Sequence, residues 1–199
     1  MFMCPYDASW LLAQRYRSDS MGISKSEVNL RNVMRMLWEQ HIVWTRMTIL
    51  SIIKDLPDVD FVTNRLLQNP IDFKKVLKPF YGDEIASQFS DLFTSHLVIA
   101  AQLVNAAKAG YKDGAAAAEK NWYKNADEIA VFLGRINPYW SEQNWKKILY
   151  EHLKMTKSEA VDILTNNYEQ SIADYDEIEK QALKMADVMA EGIVKQFLY

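Results

Sequence analysis

Three histidines, the only ones in this 199-residue chain, each end a similar phrase: LWEQH (37–41), LFTSH (92–96) and ILYEH (148–152). They are 55 and 56 residues apart, and their surroundings correspond. Met34, Phe89 and Trp145 lie seven residues before them, and Thr45, Ala100 and Thr156 lie four after. Positions four and seven apart share one face of an α-helix, so each histidine belongs on an inward stripe of a long helix. Self-similarity at a constant period marks a duplicated supersecondary unit that buries its apolar face against its neighbours. The chain is therefore expected to form three tandem helical hairpins of about 55 residues each.

The returning helices match as well. Leu66-x-x-Asn69-x3-Phe73-x3-Leu77 lines up with Trp122-x-x-Asn125-x3-Ile129-x3-Leu133. The third copy reads Ala182-x-x-Met185-x3-Met189-x3-Ile193, in which Met185 takes the place of asparagine. If the odd-numbered helices run parallel, the imidazoles share one level of the bundle, with Asn69 and Asn125 reaching the same level.

Helix signals agree with this division. Six glycines and five prolines are spread over the whole chain, and strand-like alternation is missing. Ser24 or Ser26 caps a helix running to about residue 54, and DLPD (55–58) ends it and offers Asp58 as the next cap. The segment to about residue 80 is expected to kink or break at Asn69-Pro70, because proline lacks an amide proton and clashes with the preceding turn. YGDE (81–84) restarts a helix from 83 to about 109, and AGYKDG (109–114) ends it. Further helices are expected over 115–136, over 142–164 after the cap Ser141, and over 168–197. The expectation is an all-α, up-and-down bundle of about six helices with ferritin-like or four-helix-bundle-like packing.

Residues 1–22 match nothing later in the chain and read as an N-terminal extension. Residues 23–199 read as the bundle domain, with repeats at about 27–82, 83–138 and 139–199. A hydrophobic content of 49% suits a full core and argues against disorder. With a formal net charge of −3 and interspersed signs, the chain has no basic stripe to track a nucleic-acid backbone. Cys4 is the sole cysteine, so an intramolecular disulfide and a CxxC knuckle are both excluded. No apolar run reaches the roughly 18 residues of a membrane span, and the N-terminus lacks the pattern of an export signal. A cytoplasmic location is the expectation.

The segments LWEQHIVWTR, TNRLLQNPIDF, FYGDEIA, WYKNADEIAVFLGRINPYW and QALKMADVMAEGIVKQF together resemble a family of uncharacterised bacterial helical proteins, chiefly from spore-forming Firmicutes. The likeness runs from about residue 27 to 197. It implies an all-helical bundle with repeated histidine-bearing hairpins, and it carries over no established activity. Some similar sequences carry an acetylglutamate kinase label, but nothing here resembles that enzyme's α/β fold or its phosphate-binding glycines.

The histidines admit two readings. In one, His41, His96 and His152, with Glu159 on the His152 stripe, hold a transition metal such as zinc or iron, or Asn69, Asn125, Thr45 and Thr156 help to bind a small polar ligand. In the other, each imidazole only hydrogen-bonds a neighbour, because a buried polar group without a partner costs roughly 1–3 kcal/mol. A ferritin-like di-iron site needs Glu-x-x-His pairs. Glu39 and Glu151 instead stand about 200° and 100° around the helix from His41 and His152. Because packed helices lie about 8–10 Å apart, three imidazoles converge only if the hairpins close around a common axis.

No phosphate loop, nucleophile elbow or HExxH motif is present, so catalysis is not required. The chain reads first as a binding protein with a midplane His/Asn cluster. A structural or interaction module, with a second copy as one partner, is the rival. A metal-dependent enzyme is third.

Overall fold

The computed structural model describes residues 24–198 as an all-helical bundle. The N-terminal extension and Cys4 lie outside the described residues. Five helices follow one another: α1 Lys25–Ile53, α2 Val59–Lys108, α3 Lys112–Ile136, α4 Glu142–Leu164 and α5 Tyr168–Phe197. Where six helices were expected, the second and third form one element. Its backbone leaves the helical region only at Gly82, with φ 82° and ψ 169°, a conformation that glycine adopts without a Cβ penalty. Asp83, just after this break, takes ion pairs from Lys78 (2.9 Å) and Lys74 (3.6 Å). The expected break at Asn69-Pro70 does not occur, since α2 continues through Pro70 and Pro79.

Local chemistry sets most ends. Ser24 accepts a hydrogen bond from the Glu27 amide (3.1 Å), and Ser141 accepts one from the Asn144 amide (3.3 Å). Asp58 sits at the start of α2 but makes no cap bond. Its carboxylate accepts from Ser51 Oγ instead (2.8 Å).

Three helices stop in the same way. Asp55, Gly110 and Asn166 have positive φ. Beyond each, an amide reaches back five residues, from Leu56 to Ser51, Tyr111 to Ala106 and Asn167 to Asp162, which satisfies carbonyls the helix leaves open.

Sequential helices pack as neighbours, and α1 also packs against α5, so the bundle closes on itself. A bidentate contact from Arg35 to Asp187 (2.7 and 2.6 Å) bridges that seam. α1 also touches α4. The main core holds Trp145, Phe73, Phe89, Leu30 and Met34, while a smaller apolar cluster of Ile49, Ile52, Ile53, Val104 and Ile163 fills the other end. Along α1, His41 lies near the edge of the main cluster, beside Ile42 and short of Ile49 where the smaller one begins. Among the described residues, no helix is long and apolar enough to cross a membrane.

Candidate functional site

Closure of the bundle brings the histidines into one buried layer. The rings of His41 and His152 lie 5.7 Å apart, and the Phe93 ring packs on His41 (5.0 Å) and on His96 (6.2 Å). All three imidazoles are buried. Burial holds each below its ordinary value of 6.5: His96 at about 3, His152 at about 4, and His41 well below, where the neighbouring His152 and His96 add to the effect. The layer is therefore neutral at ordinary pH.

Three buried or half-buried amides each tie one helix to its neighbour. Asn69 Nδ2 donates to the Leu37 carbonyl (2.9 Å), Asn125 Nδ2 to the Leu92 carbonyl (3.1 Å) and Gln181 Nε2 to the Ile148 carbonyl (2.8 Å). In each case the acceptor stands four residues before the histidine. The sequence alignment that put Met185 in the third position is thus displaced by one turn. The third amide is Gln181, which lies 56 residues after Asn125, as Asn125 lies 56 after Asn69. Met185 is a fully buried core residue.

Two of the three amide oxygens also meet a histidine. Trp122 Nε1, which can only donate, points at His96 Nε2 (3.1 Å), so the His96 proton is on Nδ1 and is donated to Asn125 Oδ1 (2.9 Å). Both His96 nitrogens are engaged. His152 Nδ1 likewise meets Gln181 Oε1 (3.1 Å). His41 Nδ1 and Asn69 Oδ1, by contrast, are both buried and neither has a hydrogen-bond partner among the described residues.

Glu159 is not directed to the imidazoles as a free ligand. Its buried carboxylate pairs with Arg46, which also donates to the Ser171 carbonyl (3.1 Å). Burial and nearby Asp174 push the Glu159 carboxyl up, and Arg46 opposes them. Among the described residues, no group of three or more His, Cys, Asp or Glu side chains is placed to hold a metal ion.

Thr45 and Thr156, one turn beyond His41 and His152, face a different feature. A cavity of about 550 Å³ lies between α1, α2, α3 and α4. Its buried wall is made by Thr48, Ile49, Ile52, Leu66, Leu97, Trp122 and Thr156, and its exposed edge by Val98, Gln102, Lys112, Lys157 and Val161. The lining is aliphatic apart from a few groups. The hydroxyls of Thr45, Thr48 and Thr156 are buried without a hydrogen-bond partner among the described residues. Charge is confined to the edge, where Lys157 reaches Glu119 (2.6 Å). Reasoning from the sequence missed Thr48, although it lies seven residues after His41 on the same stripe, and it missed Gln181, which the 56-residue spacing would have found. The aliphatic wall carries no sequence signal that separates it from ordinary core.

No protein-family model, curated protein or solved structure matches the chain.

Proposed function

We propose that this chain is a small-molecule binding protein and that its ligand occupies the apolar cavity beside the histidine layer. One observation carries the reading. A cavity within the usual size range of ligand pockets is walled by aliphatic side chains and carries three buried hydroxyls that the fold leaves unsatisfied. Each such hydroxyl is a cost to the empty protein that a ligand can remove. The three-hairpin repeat and the bundle packing have a part in this reading. In it the repeat sets equivalent positions at one level, which is supported by Thr45 of α1 and Thr156 of α4 lining the same space.

The histidine layer is assigned a supporting role, which combines the expected binding function with its structural rival. The fixed amide and indole bonds around His96 favour a rigid floor to the cavity rather than an open coordination site. Trp122 joins the two, since its ring lines the cavity and its Nε1 is held by His96.

The test is titration of the purified protein with the neutral fluorescent probe N-phenyl-1-naphthylamine. Saturable binding of one probe per chain is expected. Ala101→Phe and Ala160→Phe, which fill the cavity from opposite helices, are expected to abolish it while circular dichroism is retained. Wild-type protein that shows no saturable binding would overturn the proposal.

A further inference from the structure

We infer that the cavity selects an uncharged amphiphile, an apolar body carrying a hydroxyl or carbonyl head, and that it receives the head against Thr48 and Thr156 at the buried wall. The inference rests on the cavity being the binding site and goes on to specify the chemistry of the ligand.

Three features of the wall lead to it. The hydroxyls of Thr45, Thr48 and Thr156 have no partner among the described residues, and a hydroxyl both donates and accepts. A ligand oxygen, best as a hydroxyl, can satisfy them in either sense. The same wall offers no charge: Arg46, next to Thr45 in sequence, is spent on Glu159 and the Ser171 carbonyl, and the nearby histidines are neutral. A carboxylate or ammonium placed there would lose its hydration with no opposite charge to replace it. The charges that border the cavity, Lys112, Glu119 and Lys157, stand toward its edge, and Lys157 and Glu119 already pair with each other. An anionic head could meet a lysine only by facing outward, which would leave the threonines as they are.

The size follows from volume. An apolar cavity of about 150 Å³ accommodates benzene, so one of about 550 Å³ sets an upper bound of roughly 20 non-hydrogen atoms. A ten-carbon chain with one head group is well inside this bound.

Displacement of N-phenyl-1-naphthylamine by decan-1-ol, decanoate and decylammonium, on wild type and on the Thr48→Val/Thr156→Val variant, tests the inference. Valine keeps the shape and removes two unsatisfied hydroxyls, so the variant is expected to fold at least as stably as wild type. Decan-1-ol is expected to displace the probe at least tenfold more effectively than either ion. With the probe affinity measured separately on each protein, the affinity for decan-1-ol should fall about tenfold in the variant for each hydrogen bond lost. Decanoate equal to or better than decan-1-ol, or an unchanged decan-1-ol affinity in the variant, would overturn the head-group assignment and leave the cavity reading in place. A probe that never binds wild type would overturn the cavity reading itself.

Discussion

Asn69 and Asn125 are the same residue in corresponding places, yet their removal should cost different amounts. Each donates one bond to a helix carbonyl four residues before a histidine, and each is buried. Only Asn125 also accepts from its histidine. Asn125→Ala removes one ordinary hydrogen bond, about 1 kcal/mol, and strands the His96 Nδ1–H in a buried site, about 1–3 kcal/mol. Asn69→Ala removes the same ordinary bond, but it also removes an amide oxygen that has no partner, which returns about 1 kcal/mol. Both variants delete the same atoms from sites that exclude water, so the cavity contributions largely cancel in the comparison. Asn125→Ala should therefore be less stable than Asn69→Ala by about 2–4 kcal/mol. Urea unfolding followed by far-ultraviolet circular dichroism measures the difference, provided that the two slopes agree. Equal midpoints, or a larger loss for Asn69→Ala, would refute the tautomer and the asymmetry between the hairpins.

Stability should also fall as the solution is made acidic below pH 6.5. Above that pH the imidazoles are neutral in both folded and unfolded chains. Below it, the unfolded histidines take up protons that the buried ones refuse until about pH 4 for His152 and about pH 3 for His96, which costs up to about 1.4 kcal/mol per pH unit for each. A flat stability profile between pH 6.5 and 5 would contradict neutral buried imidazoles. Arg46→Ala should cost about 3–5 kcal/mol at pH 7 by leaving the Glu159 carboxylate buried and unpaired, and adding Glu159→Gln should recover part of the loss; chemical denaturation of the single and double variants checks both. Gly192→Ala should destabilise by about 1–3 kcal/mol despite alanine's better helix propensity. A Cβ there would stand 1.9 Å from Trp140 Nε1, which is held by the Val188 carbonyl, so melting temperature should drop further than for Gly134→Ala, whose nearest contact is 3.1 Å.

The helical class was legible because periodicity and end signals are local. Ser24 and Ser141 cap as their side chains permit, and the turns at 54–58, 109–111 and 165–167 end helices where the sequence changes character. The break at Asn69-Pro70 was misjudged for a tertiary reason. Asn69 is fixed by a bond to the neighbouring helix, and packing on both sides holds the segment helical through the proline. At Gly82 a single residue of positive φ replaces the expected gap with a kink inside one element. The third amide residue was misplaced because apolar stripes match equally well one turn apart, and the hydrogen bonds of Gln181 to Ile148 and His152 set the register.

The sequence by itself determined that the chain is helical and that three histidines occupy corresponding inward positions, since both depend on spacing along one helix. Only the tertiary structure decided that the bundle closes from α1 to α5, that Trp122 and Asn125 occupy both nitrogens of His96, and that Glu159 answers to Arg46. It also decided that the space beside this layer is an apolar cavity with unsatisfied threonines. Spacing fixes which face a residue is on. What that face meets depends on the angle and distance of helices brought together from opposite ends of the chain.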